Sequence, residues 1–201
     1  ELSLGVFVLV GNLVFMKYLG DAGVGAFGIA CYYTPFFFMI GNAIAQSAQP
    51  IISYNYGVSR WKEIYETRRL LLGTSLATGI IVASLFLLFP DVLVAFFVDV
   101  SSDAGQIAIE GFPNFAAGIV FYILNVAIIG YYQSIERIRL STLLVFLRGL
   151  IFLVPCFLLL PGVLGVAGIW LAMPLAEVLA TLILLLLLFA ARIRNGRMSD
   201  R

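Results

Sequence analysis

Long uncharged, apolar stretches constrain this chain more than any other feature of its sequence. They run over Leu2–Met16, Ala22–Ser59, Leu70–Pro90, Gly111–Ile135 and Gly149–Ala176. A bilayer core of about 30 Å requires helices of about 20 apolar residues. Soluble domains carry about 25% charged residues, whereas this chain carries 11%. The chain is therefore predicted to be an all-α, polytopic membrane protein, with the lipid bilayer as its surroundings.

The uncharged stretches predict six transmembrane spans, at 2–19, 22–48, 70–89, 111–133, 140–160 and 166–191. The second is unusual, because an unbroken helix from Ala22 to Gly57 would be roughly 54 Å long. We therefore expect one long helix bent at Pro35 and Pro50. After it, Trp61 and its neighbours suit either a short amphipathic helix on the membrane surface or an ordinary solvated connector.

Basic residues alternate between successive loops and predict the orientation of the chain. They cluster at 58–69, at 135–139 and beyond Arg192, whereas Lys17 is the basic residue of the opposite loops, which carry Asp21, Asp91, Asp99 and Asp103. By the positive-inside rule, the three basic segments and both chain ends are cytoplasmic. Because this bias accounts for every basic cluster, nucleic acid is not an expected partner.

The first span is not expected to be a cleaved signal peptide, because no methionine, basic n-region or small-residue cleavage site accompanies it. The chain opens at Glu1, in what reads as the middle or inner end of a helix. We therefore expect that further residues precede Glu1.

Residue types that carry catalysis are scarce in this sequence. It has no histidine, and Cys31 and Cys156 lie in separate spans without the spacing of metal ligands. Both cysteines are expected to be small apolar core residues. Since no set of nucleophile, base and metal ligand is evident, we expect neither an enzyme nor a metal site nor an organic cofactor.

A polar stripe interrupts the second span. Its members share one helix face at spacings i, i+4, i+7 and i+11, and they are Asn42, Gln46, Gln49 and Ser53. Such a face avoids lipid, because an unpartnered amide in hydrocarbon costs several kcal/mol. The stripe either lines a substrate passage or holds packed helices together.

The fourth span repeats this spacing with Asn114, Gly118, Phe121 and Asn125, and Tyr122 lies beside them. A wall that is both polar and aromatic suits a pocket for apolar, aromatic or cationic molecules. Tight helix packing around Gly118 is the alternative.

Three ionisable residues are predicted to lie at membrane depth, where a charge is a functional hypothesis by default. Glu1 shares a helix face with Asn12, while Arg148 and Glu177 lie in the fifth and sixth spans. Helix rise places Arg148 roughly 13 Å and Glu177 roughly 22 Å from the inner surface. Arg148 and Glu177 predict a buried ion pair or a carbonyl clamp as the structural alternative, and Glu1 could instead be an interfacial residue. A membrane carboxylate such as Glu1 or Glu177 can also exchange a proton or hold a cation where solvent reaches it.

Four segments together resemble the second half of bacterial multidrug and toxic compound extrusion (MATE) transporters. In chain order they are Gln49–Gly57 with the basic connector after it, Tyr131–Ser134, Leu147–Gly149 and Gly168–Glu177. Their order and spacing match over essentially the whole chain.

The resemblance implies one lobe of a twelve-helix transporter, carrying helices seven to twelve, whose partner is a missing amino-terminal lobe. Members of the family sit in the plasma membrane and export organic cations and other drugs in exchange for Na⁺ or H⁺, by rocking two lobes about a central cavity. Some members use acidic residues in helices seven and ten. Glu1 fits the first position, but Tyr122 and Asn125 stand where the second would be.

Two other functions compete with a drug antiporter. A lipid-linked oligosaccharide flippase of the related superfamily usually needs many basic residues for pyrophosphate, whereas Arg148 is alone in the membrane. A non-transporting membrane scaffold predicts small-residue packing faces without continuous polar stripes.

Overall fold

The computed structural model describes the backbone of residues 2–199 and the side chains of residues 5–187. The described part of the chain is helical, with no strand, which confirms the predicted all-α class. The helices are α1 (Leu2–Gly57), α2 (Trp61–Leu88), α3 (Pro90–Ala95), α4 (Asp103–Ser134), α5 (Ile138–Phe146), α6 (Leu153–Leu164) and α7 (Val166–Ser199), with a π-helical turn at Leu147–Ile151 between α5 and α6.

Helix α1 is divided at Gly20, which has non-helical dihedral angles of φ 64° and ψ −157°. Glycine tolerates a positive φ at no steric cost, so it permits this break. The rings of Phe15 and Phe27 stack with centroids 4.6 Å apart, whereas a straight helix would separate these residues by roughly 18 Å. The two arms, 2–19 and 21–57, therefore fold back on each other and correspond to the first two predicted spans.

The second arm of α1 continues to Gly57 with Pro35 and Pro50 inside it. A tight turn follows, in which Ser59 has a φ of 56° and the Arg60 N–H donates to the Asn55 carbonyl over 2.9 Å. Helix α2 then begins at Trp61. The separate surface helix or connector predicted around Trp61 is therefore wrong, because these residues form the first turns of α2.

Among the described residues, five helical stretches are long and apolar enough to cross a membrane, judged by length and composition; they are Gly5–Gly57, Trp61–Leu88, Asp103–Ser134, Ile138–Leu164 and Val166–Leu187. The prediction of six spans differs from this count at α1, whose two arms it treats as separate spans. Large apolar side chains point outward along these helices, and Leu13, Ile81 and Leu186 are each more than 60% exposed. Hydrocarbon is the solvent that suits such a surface.

Helix α4 lies at the centre and packs against α1, α2, α3, α5 and α7. Its small residues permit close approach of neighbouring helices. A Cβ atom added at Gly118 would lie 2.6 Å from the Cα atom of Pro174 in α7. The packing predicted around Gly118 as one alternative is therefore present. Phenylalanines fill the core beside it, among them Phe27, Phe112 and Phe115, which are almost fully buried.

One end of the bundle gathers two of the predicted basic segments. The Ser53 hydroxyl donates to the Ser134 carbonyl over 3.2 Å, and the Arg68 guanidinium lies 5.9 Å from the ring centre of Tyr131. These contacts place segments 58–69 and 135–139 at the same end, as the orientation prediction requires. The side chains of the third basic segment, beyond Arg192, lie outside the described residues.

The opposite end carries α3 and an acidic loop. The Tyr33 hydroxyl donates to the Leu93 carbonyl over 2.9 Å and ties the second arm of α1 to α3. In the loop, the Ser101 backbone N–H and hydroxyl donate to an Asp99 carboxylate oxygen over 2.8 and 2.7 Å. These bonds stabilise the ionised form and hold the pKa of the Asp99 carboxyl below its usual value.

Candidate functional site

A cavity of about 320 Å³ lies inside the lobe, among α1, α4, α7 and the chain around the π-helical turn. We call it the lobe cavity. Its walls are largely apolar, and its polar lining residues are Thr34, Asn42, Tyr122, Gln133, Arg148 and Glu177. Ligand sites in proteins are typically apolar pockets of this size with a few convergent polar groups. The lobe cavity is therefore the candidate site.

Arg148 enters the cavity from the π-helical turn. The Phe152 N–H donates to the Leu147 carbonyl over 2.9 Å, five residues back, which defines the wider turn. Pro155 lacks an N–H and cannot donate to the Ile151 carbonyl four residues back, so the regular bond pattern is already interrupted here. Single π-helical turns are uncommon and often occur at functional sites.

Arg148 and Glu177 form an ion pair between the π-helical turn and α7. Both Nε and Nη2 of Arg148 donate to Glu177 Oε1, over 2.9 and 2.6 Å. The two side chains are only 11% and 5% exposed. The buried ion pair predicted as one alternative is therefore present. The two side chains meet although helix rise alone placed the residues roughly 13 Å and roughly 22 Å from the inner surface.

Glu177 also binds α4 through Asn125. The Asn125 amide donates to Glu177 Oε2 over 2.8 Å and to the Glu177 carbonyl over 3.0 Å. The Thr181 hydroxyl lies 3.0 Å from both Asn125 Oδ1 and the Glu177 carbonyl, and donates to one of them at a time. Asn125, Glu177 and Thr181 are all buried, so the network satisfies polar groups that would otherwise be costly in the membrane.

Tyr122 packs its ring against the arginine. The Arg148 guanidinium carbon lies 4.2 Å from the centre of the Tyr122 ring, within the range of a cation–π contact. Tyr122 is 7% exposed and belongs to the cavity wall. The ring and the Glu177 carboxylate together hold the guanidinium in one orientation.

The predicted stripe on α1 does not share one environment. Asn42 is half-buried and lines the lobe cavity. Gln46 and Gln49 are exposed on the surface of the lobe, outside that cavity. Ser53 is bonded to the Ser134 carbonyl at the basic end. Residues on this one helix face therefore lie in three environments along the helix: the cavity wall, the outer surface and a contact with another helix.

The remaining predicted site residues lie elsewhere. Asn12 is half-buried on the first arm of α1 and does not line the lobe cavity. Glu1 lies outside the described residues, so its position relative to the membrane stays a prediction. Within the described residues, no group of three or more acidic, cysteine or histidine side chains is placed to hold a metal ion.

Three polar residues of the site were absent from the predicted set. Thr181 lies one helical turn after Glu177, and that i+4 spacing was a signal available in the sequence. Gln133 lines the cavity from within the Tyr131–Ser134 segment. Thr34 was hidden in an aromatic stretch, where its hydroxyl donates to the Ala30 carbonyl over 2.9 Å.

The family model described as MatE matches residues 4–158. No curated protein matches the chain. A solved MATE multidrug transporter, DinF-BH, is 29% identical with a TM-score of 0.73, and the match covers 90% of this chain and 40% of that one.

Two more distant structures show the same fold. An outward-facing multidrug resistance MATE family transporter of the MOP superfamily is 17% identical, with a TM-score of 0.82 and coverage of 90% of this chain and 41% of that one. An inward-facing multidrug resistance MATE family transporter is 16% identical, with a TM-score of 0.80 and coverage of 100% and 46%. The chain therefore spans less than half the length of the structures it matches.

Proposed function

The chain belongs to the MatE family, and on that premise we propose that it forms one lobe of a secondary transporter that exports small amphiphilic drugs across the plasma membrane. The observation that carries this proposal is the lobe cavity, which is lined by the buried ion pair of Arg148 and Glu177 among membrane-spanning helices. Behind the cavity wall, the buried Asn125 binds Glu177. A charge buried at such a place is costly and marks a substrate or ion pathway more often than a packing contact.

The second wall of the transport pathway comes from another lobe. Gln46 and Gln49 are exposed on the described surface of the second arm of α1, where lipid would leave their amides without partners. In carriers built from repeats, the binding site lies between the repeats, and alternating access moves one repeat against the other. We propose that an amino-terminal lobe covers this face and that the two lobes rock between inward-facing and outward-facing states.

Coupling to Na⁺ or H⁺ is part of the proposal. Among the residues lining the lobe cavity, Glu177 is the carboxylate, and both of its oxygens already accept hydrogen bonds. A proton or cation that uses Glu177 therefore competes with the hydrogen bonds from Arg148 and Asn125. Glu1, or a carboxylate of the other lobe, is the alternative coupling site.

The glutamine face offers a direct test of the inter-lobe role. In a transporter assembled from this lobe and a matching amino-terminal lobe, Gln46→Ala and Gln49→Ala should each change drug export severalfold with little loss of folded protein. The physical reason is that each exposed amide contacts substrate or the facing lobe, while the lobe itself stays packed. Efflux of a fluorescent drug from vesicles, normalised to folded protein, measures the effect.

Ser47→Ala is the matched control. Ser47 is exposed on the same helix, but its hydroxyl already has a partner within that helix, because it donates to the Ala43 carbonyl over 2.8 Å. We expect wild-type export from this variant. If both glutamine variants export at the wild-type rate, this face of the helix is not the inter-lobe surface. If both variants lose folded protein, the glutamines serve helix packing instead.

Orientation can be tested with single cysteines in a variant lacking Cys31 and Cys156. We propose that the basic end is cytoplasmic, following the positive-inside rule. Ser59→Cys, at the exposed basic end, should then resist a membrane-impermeant thiol reagent in intact cells and react after permeabilisation. Ser101→Cys, exposed at the acidic end, should react in intact cells. The reverse pattern of labelling would invert the proposed topology.

A further inference from the structure

The two charged residues of the lobe cavity differ in how many of their hydrogen-bonding positions are occupied. Arg148 and Glu177 are the charged side chains among the residues that line it. Glu177 is engaged on both oxygens, because Oε1 accepts from Nε and Nη2 of Arg148 and Oε2 accepts from Asn125. Three of the roughly four positions at which a carboxylate accepts hydrogen bonds are therefore filled, and Arg148 already balances its charge.

Glu177 does not use all of the hydrogen-bond donors of Arg148. A guanidinium carries five N–H donors in a planar fork, and Glu177 takes the edge formed by Nε and Nη2. The Tyr122 hydroxyl also lies close enough to the guanidinium to accept from it. Arg148 lines the cavity with its side chain 11% exposed, so the part of the guanidinium that faces away from Glu177 borders the open space.

We propose that the lobe cavity binds the carboxylate of an amphiphilic ligand at the edge of the Arg148 guanidinium that faces away from Glu177. This inference rests on the proposed export function and names the substrate class that the lobe would accept. Arginine is the side chain best suited to a carboxylate, because its planar donors match the two oxygens. The stacked Tyr122 ring and the Glu177 bonds hold the guanidinium in place before the ligand arrives.

The rest of the cavity fits the apolar body of such a ligand. Phe7, Phe38 and Met173 contribute apolar wall on three sides. Asn42 and Gln133 also line the space, and their amides donate to no described residue. They supply uncharged donors for a second oxygen. A positively charged ligand finds no free carboxylate among these residues.

The test uses two fluorescent probes that differ only in charge, dansylglycine and dansylglycinamide. The chain is purified in detergent, and the dissociation constant of each probe is measured from its emission. Because the lobe cavity lies within one copy of the chain, binding does not depend on a second lobe. We expect wild-type protein to bind dansylglycine about tenfold more tightly than dansylglycinamide, since the guanidinium attracts the carboxylate in a low-dielectric site.

Two variants test whether the charges of the cavity wall cause this preference for a carboxylate. The double variant Arg148→Gln with Glu177→Gln removes both charges together and should bind the two probes equally. Gln133→Glu leaves the ion pair in place and adds a carboxylate to the wall, so it should reverse the preference, and it carries the test even if the double variant unfolds. Arg139→Gln, on the exposed part of α5, is the control and should keep wild-type affinities.

Equal affinities of wild-type protein for the two probes, no measurable binding of either, or a carboxylate preference that survives in Gln133→Glu would overturn the inference. Its failure is separable from failure of the proposed function. Carboxylate preference without export in the two-lobe transporter contradicts the export proposal alone. Export without carboxylate preference contradicts only the ligand class.

Discussion

Glu177→Gln should lower the free energy of unfolding of this lobe by about 3 kcal/mol, because removing one partner leaves the other charge buried and uncompensated. Arg148 would then donate to a neutral amide while its side chain stays only 11% exposed. The Asn125 amide would keep the backbone carbonyl of residue 177 as an acceptor, but it would keep a side-chain acceptor only if the new glutamine turned its oxygen away from Arg148. Unfolding in detergent titrated with a denaturing surfactant, followed by helical circular dichroism, measures the change.

A double-mutant cycle supplies the control for this prediction. Arg148→Gln alone should be destabilised by a similar amount, whereas the double variant with Glu177→Gln should recover most of the wild-type stability. The recovery is expected because two neutral amides can bond to each other without a desolvated charge. Wild-type stability in both single variants would show that the ion pair does not hold the helices together.

Glu177→Gln and its double variant with Arg148→Gln also distinguish a role of Glu177 in stability from a role in ion coupling. If Glu177→Gln unfolds the lobe and the double variant restores both fold and ion-driven export, the pair is a clamp. If the double variant folds but exports without dependence on Na⁺ or H⁺, Glu177 carries the coupling ion. Unchanged coupling in a folded variant assigns this role to Glu1 or to the other lobe.

The lobe alone should give no drug export, although it inserts into the membrane. Its exposed amides at Gln46 and Gln49 have no partner within the described part of the lobe, and an unpartnered amide in lipid costs several kcal/mol. We therefore expect copies of the chain to self-associate through this face. Drug resistance of cells expressing only this chain should equal that of cells carrying an empty vector.

Co-expression with a matching amino-terminal lobe should restore part of the resistance and reduce self-association, measured by crosslinking in membranes. An amino-terminal lobe with large apolar substitutions on its facing surface is the control and should restore neither. Robust ion-driven export by the purified chain in liposomes would contradict the prediction, unless crosslinking showed that two copies had assembled face to face.

The two polar stripes show how far helix periodicity carries a prediction. Spacing alone placed Asn42, Gln46, Gln49 and Ser53 on one face of a long helix, and they do follow one another along α1. The different surroundings of these residues depend on which helices lie opposite each turn. On α4, Gly118 packs against Pro174 while Asn125 binds Glu177. The packing and polar alternatives that spacing left open therefore both occur, at different turns of one helix.

The sequence by itself determined that this protein lies in a lipid bilayer and that its fold is all-α. Long uncharged stretches require membrane-spanning helices, and alternating basic loops place two of those loops at the same end. These features follow from local composition, because each span must satisfy its own backbone in lipid. The same reasoning located the polar residues and the buried charges without regard to their partners.

Only the tertiary structure decided which of these residues meet. Arg148 and Asn125 lie 29 and 52 positions before Glu177, so their contacts depend on the rotation and crossing of α4, α7 and the π-helical turn. Likewise, the surface helix expected at Trp61 merged into α2 because the tight turn at Ser59 and Arg60 lets the new helix begin at once. Helix rise and periodicity describe one helix at a time, whereas a site between helices is set by how their side chains pack against each other.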